Sequence, residues 1–143
     1  MAGEPSLAGK WTYRSYRNST DLVAGDPNKA LSLIFGEGVF TFALGSAGAL
    51  TGTFDMGSGF VLDLQGTIHS TTSDASLTVE IAGLGRDGTP TAGWEYDYHA
   101  SPAYQWPNGV NQVPALVGSV IRAKPHDGAP AGFVASFIAV KQP

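Results

Sequence analysis

Apolar and polar residues alternate with a period of two along most of this chain, and glycine or proline interrupts the alternation every ten to fifteen residues. A period of two marks a strand with one buried face, because successive side chains of extended backbone point to opposite sides. Eight such segments can be read. Lys10–Arg17 mixes aromatics with Arg and Thr. Leu31–Leu44 is interrupted at Gly36-Glu37-Gly38, where a glycine bulge is expected. Ala49–Met56 sets Leu50, Phe54 and Met56 against Thr51, Thr53 and Asp55. Gly57-Ser58-Gly59 then turns the chain into Phe60–His69, where Phe60, Leu62 and Leu64 alternate with Val61, Asp63 and Gln65. These two segments predict the clearest hairpin. A polar loop at Ser70–Asp74 leads to Ser76–Leu84, and the turn Gly85–Pro90 leads to Ala92–His99. A long irregular stretch, Ala100–Val113, precedes Ala115–Lys124 and Gly132–Lys141, which are joined by Pro125–Ala131. The best helix candidate, Pro27–Phe35, has Asp26 as a cap and Pro at the first helical position, but it is short and runs into Gly36.

Short strands joined by short sequential turns predict an all-β fold, an eight-stranded antiparallel up-and-down barrel formed by one domain over residues 1–143. A sandwich of Greek-key type would need a long connection earlier in the chain. The last two segments are apolar at nearly every position (Leu116, Val117, Val120, Ile121; Phe133, Val134, Phe137, Ile138), which predicts a covered outer wall. A homo-oligomer, dimer or tetramer, is therefore expected.

Composition narrows the possible functions. Charged residues make up 14% of the chain against 43% hydrophobic, a balance opposite to that of disordered chains. A net charge of −4 without a basic block argues against nucleic acid as a partner. No apolar run has the length of a membrane helix. The absence of cysteine excludes disulfides, thiolate metal sites and cysteine nucleophiles. Met1–Lys10 carries neither the basic nor the apolar region of a signal peptide, so cytoplasm is the default expectation, and Asn18-Ser19-Thr20 reads as a chance match to a glycosylation site.

Gly9-Lys10-Trp11, at the start of the first segment, resembles the Gly-x-Trp signature of the calycin superfamily of lipocalins, fatty-acid-binding proteins and avidins, and Gly48–Asp55 (GALTGTFD) is similar to the second-hairpin region of avidins. The resemblance implies an eight-stranded barrel whose Trp plugs the closed end. It also implies a late-strand basic residue over the indole, a place Arg122 could take. It implies no ligand: the polar set with which avidins bind a ureido ring has no counterpart here residue by residue, and the Thr-Asp-Tyr lipocalin motif is missing. The pattern also resembles bacterial proteins of this size without an assigned function.

The chemistry-bearing residues concentrate in Trp94-Glu95-Tyr96-Asp97-Tyr98-His99. Alternation puts Trp94, Tyr96 and Tyr98 on one face and Glu95, Asp97 and His99 on the other. If the second face lined the barrel, two carboxylates and an imidazole would converge as acid–base groups. If the first did, aromatics would form the core and the acids would meet water. Tyr104 and Trp106 lie in the long stretch, where they could lid the mouth and stack on a ligand or pack on another subunit. Arg14 and Arg122 are the polar anchors expected inside, as a cover for the Trp or a partner for a carboxylate. The histidines His69, His99 and His126 have no metal-ligand spacing, so no metal and no cofactor are expected. Gly83-Leu84-Gly85-Arg86-Asp87-Gly88 matches a dinucleotide fingerprint in form only, because no helix is predicted to follow it.

Three functions fit these residues. The first is binding of a small, mostly apolar molecule inside the barrel, with Trp94, Tyr98, Tyr104 and Trp106 as contacts and Arg14 or Arg122 as anchors. The second is an isomerase or cyclase using Glu95, Asp97 and His99 for proton transfer. The third is a structural oligomer with a filled barrel.

Overall fold

Each alternating segment becomes a strand with its apolar face turned inward, and the eight strands close into an antiparallel up-and-down barrel, β1 to β8 in chain order with β8 paired to β1. The computed structural model describes residues 6–19, 23–70 and 77–143. The strands are β1 (Gly9–Arg17), β2 (Ile34–Leu44), β3 (Ala49–Asp55), β4 (Val61–Ser70), β5 (Leu77–Gly85), β6 (Glu95–Pro102), β7 (Ala115–Arg122) and β8 (Val134–Lys141). The start of the chain, Thr20 and the polar loop with Ser76 fall wholly or partly outside the described residues. Among those described, no helix is long and apolar enough to cross a membrane.

The helix candidate is a 3-10 helix, Pro27–Leu33, opened by the Asp26 carboxylate, which accepts from the Asn28 N–H at 3.0 Å. Its hydrophobic residues bury no common face, so it stays short. The bulge in β2 falls at Phe35, between the pairs Ser15↔Gly36 and Tyr16↔Ile34, and re-aims Phe35 toward the mouth. The hairpin of β3 and β4 forms around Gly57-Ser58-Gly59, with the Met56 N–H donating to the Phe60 carbonyl at 2.9 Å. β6 starts three residues later than its sequence pattern suggests, because Thr89–Trp94 is consumed by successive turns. It runs on to Pro102 by pairing Ser101 and Pro102 with Val117 and Leu116.

Packed rings fill the middle of the barrel. Tyr13, Phe40, Phe54, Tyr98 and Phe137 meet mostly edge-on, with Tyr13 4.6 Å from Phe54 and 4.9 Å from Phe40, centroid to centroid. Glycine supplies the room. A Cβ on Gly83 would stand 3.2 Å from Leu62, Leu64 and Tyr98 at once, so the ring of Tyr98 occupies space that a side chain on β5 would need.

The two ends differ. At one, Trp11 is fully buried and its Nε1–H donates to the Leu7 carbonyl at 2.9 Å. The Lys141 ammonium lies 5.5 Å from the indole centroid and donates to the Ser6 carbonyl at 2.8 Å. This end is closed, and Lys141 covers the Trp, not Arg122. Arg122 pairs with Tyr96 at the far end of β7, where the described connecting residues 18–19, 23–33, 56–60, 86–94 and 123–133 surround an open mouth.

Candidate functional site

The mouth holds a cavity of about 270 Å³, lined by Tyr13, Ser15, Phe35, Phe54, Met56 and Leu62 and, on the other side, by Trp94, Tyr96, Tyr98, Val120, Arg122 and His126. That is just below the usual range for small-molecule pockets, about 300–1,000 Å³. Apolar walls with a few converging polar groups are the usual make-up of such pockets.

Three of its polar groups, Arg122, Tyr96 and His126, form one chain. The β6–β7 register places Tyr96 opposite Arg122, both inward. Arg122 Nε–H donates to the Tyr96 hydroxyl at 3.0 Å, and Nη1–H donates to the Pro130 carbonyl at 3.0 Å. The guanidinium lies 5.2 Å from the Phe133 centroid and 5.7 Å from those of Phe35 and Tyr96. It is 7% exposed, and among the described residues no carboxylate pairs with it. From the loop between β7 and β8, His126 Nε2 meets the Tyr96 hydroxyl at 2.7 Å while Nδ1 faces Asp127 Oδ2 at 3.0 Å. Trp94 stacks flat on the His126 ring, centroids 3.9 Å apart. The Thr91 hydroxyl pins the neighbouring turn by donating to the Val61 carbonyl at 2.7 Å.

Tyr13 and Tyr98 form the floor, and burial raises the pKa of both phenols above the ordinary tyrosine value, opposed at Tyr13 by the Ser15 hydroxyl. Unfolded, each would ionise near pH 10 (about the free value). Their contribution to stability is therefore complete below that pH and is lost as pH rises through the folded-state values. Unfolding free energy should fall above about pH 10 by roughly 1.4 kcal/mol per pH unit for each buried phenol. Urea titrations over that range should show the slope, and Tyr98→Phe should remove one tyrosine's share of it.

The structure distributes the residues expected from sequence differently. Trp94, Tyr98 and Arg122 line the mouth. Arg14 is outside: it is on the outer face of β1, paired with Glu37 at 3.0 Å and half exposed. Tyr104 and Trp106 cannot lid the mouth, because β6 runs from mouth to closed end and delivers their loop there. They stand 71% and 68% exposed, packed edge-on against each other.

Glu95, Asp97 and His99 face away from the interior, because the inward positions of β6 are Tyr96, Tyr98 and Ala100. The convergence inside the barrel that proton transfer by these three would need is therefore not formed. They edge an open depression of about 830 Å³ on the outer wall, shared with Glu80, Ile121 and Val134. Glu95 pairs with Lys124 at 3.5 Å, and Glu80 takes His69 at 3.2 Å and His99 at 3.7 Å. Burial, then the nearby Glu95, raises the Asp97 pKa, and its Oδ1 is buried without a hydrogen-bond partner among the described residues. Gly83–Gly88 ends β5 and enters a turn in which Arg86 forks onto Asp63 at 2.8–3.0 Å, and no helix opens there.

Sequence reading missed Ser15, Phe35, Tyr96 and His126 as parts of the mouth, and Asp127 as the partner of His126. Register alone brings Tyr96 to Arg122, and a Gly/Pro-rich loop brings back His126, so no periodicity marks them. The one available signal was an inward Arg at a strand end followed by a turn containing His. No family model, curated protein or solved structure matches this chain.

Proposed function

We propose that the barrel mouth binds one compact, mostly apolar small molecule, in the manner of a calycin-type barrel, with Arg122 as its polar anchor. The observation that carries this reading is a buried guanidinium, without a carboxylate partner among the described residues, on the wall of an aromatic cavity. A buried charge is costly unless it is paired, and a ligand carboxylate would supply the partner. Trp94, Tyr96 and Tyr98 are the ring contacts. Because packed rings fill the barrel centre, the ligand sits at the mouth above them and must be small.

The test is a thermal-shift and ligand-observed NMR titration with compact aromatic acids such as phenylacetate and hydrocinnamate. Binding should raise the melting temperature with ligand concentration. Gly36→Leu should abolish it by filling the cavity that Gly36 lines, where a Cβ would meet side-chain atoms of the adjacent β1, Ser15 Oγ at 3.2 Å and Tyr13 at 4.0 Å. Equal shifts in both proteins, or none in either, would reject the mouth as the site.

The third reading, assembly, gains from a different observation. The outer wall of β7 and β8 leaves Val117, Ile121, Val134 and Ile138 each 38–41% exposed. They are paired across the strands as Val117↔Ile138 and Ile121↔Val134. A second copy of this chain on that wall, leaving the mouth free, is the occupant we propose.

A further inference from the structure

We propose that the mouth is also an acid–base site, in which the Tyr96 hydroxyl exchanges a proton with a bound, compact aromatic acid carrying an enolisable carbonyl. The proposal rests on the mouth being the ligand site. Counting donors fixes the direction of the hydrogen-bond chain. Arginine has donors only, so Nε–H of Arg122 gives its hydrogen to the phenol oxygen at 3.0 Å. The Asp127 carboxylate can only accept, so a neutral His126 ring carries its hydrogen on Nδ1, 3.0 Å from Asp127 Oδ2, and Nε2 accepts from the Tyr96 hydroxyl at 2.7 Å. Carboxylate, imidazole and hydroxyl stand in the order in which hydrolytic triads activate a hydroxyl, with a guanidinium added beside the oxygen. The chain ends on a side chain that lines the cavity.

The step balances without a co-reactant. A ligand C–H bond next to a carbonyl breaks, and its electron pair moves into the carbonyl to form an enolate. The proton goes to the Tyr96 oxygen as that oxygen's own proton passes to His126 Nε2, and the resulting imidazolium is held by Asp127. Reversal returns a proton to carbon, or to oxygen as the enol. Tyr13 and Tyr98, kept as neutral O–H donors by burial, line the same cavity and can donate to the enolate oxygen. The substrate class follows from the walls: a carboxylate for Arg122, an acidic C–H for Tyr96, and a flat ring for Phe35, Trp94 and Tyr98. His126 and Asp127 act through Tyr96 and are positioning residues.

Phenylpyruvate has all three features and is the probe. Deuterium incorporation at its benzylic carbon in D₂O, followed by proton NMR in dilute buffer, should exceed the buffer rate. Tyr96→Phe should lower the excess at least about 100-fold while phenylpyruvate still binds, the low end of what acid–base groups contribute. His126→Gln, which removes the acceptor of the Tyr96 proton, should lower the exchange rate while leaving the affinity for phenylpyruvate unchanged, a split that loss of local structure would not give. Glu95→Gln, on the outer wall, should change nothing. Binding without exchange above buffer, or exchange that survives Tyr96→Phe, overturns the acid–base role and leaves the binding site standing. Phenylpyruvate that fails to bind overturns both.

Discussion

Trp11→Ala should lower the unfolding free energy by about 3–5 kcal/mol, the usual loss when a buried aromatic is truncated. Several terms converge there. The indole is fully buried, its N–H satisfies the Leu7 carbonyl, and Lys141 rests on its face while reaching the Ser6 carbonyl. Alanine would leave a cavity, an orphaned carbonyl and an ammonium without its ring. Trp11→Phe restores most of the volume and none of the hydrogen bond, so it should recover more than half of the loss. Chemical denaturation of the three proteins, read as midpoint and slope, separates these contributions. A Trp11→Ala protein within about 1 kcal/mol of wild type would mean that the closed end does not hold the barrel together.

The second large effect is expected at the other end and concerns affinity. Arg122→Gln should weaken binding of a carboxylate ligand by about 2–5 kcal/mol, roughly 30- to 5,000-fold. The matching primary amide should lose little. The comparison matters because Arg122 also holds the loop between β7 and β8 through the Pro130 carbonyl and supports Tyr96. If the guanidinium served only to brace that loop, acid and amide would weaken together, and calorimetric titration of both ligands against both proteins tells the cases apart.

Most of the barrel was legible because strands announce themselves locally: alternation gave the eight elements, and turn glycines gave the hairpin at Met56–Phe60. The ends of β6 were not, since Thr89–Trp94 could continue the alternation but folds into turns, whereas Pro102 pairs as a strand residue. The candidate site was half legible. Trp94, Tyr98 and Arg122, picked out by their chemistry, line the mouth, but direction along the barrel is a property of topology. Once β1 carries Trp11 at its beginning, every odd-numbered strand runs toward the mouth and every even-numbered strand toward the closed end. That rule alone places Tyr104 and Trp106 away from the mouth and Arg122 away from Trp11. The facing of β6 depended on where three large rings could go, and inner-face glycine such as Gly83 supplied the space.

The seam between β1 and β8 has a consequence for how the molecule assembles. Seven of the eight pairings join neighbours along the chain, whereas the last one joins its extremes: the Gln142 side chain donates to the Thr12 hydroxyl at 3.1 Å across 130 positions. Such a closure bears the largest loop entropy in the fold, so it forms after the hairpins have zipped. Until it does, the sheet is an open ribbon with two unpaired edges, and the β8 edge carries Ile138 and Val140 beside free backbone donors and acceptors. Those edges can meet each other or the edges of another molecule. Refolding at rising protein concentration should therefore shift the outcome from closed barrels toward strand-exchanged pairs, a change that size-exclusion chromatography reads.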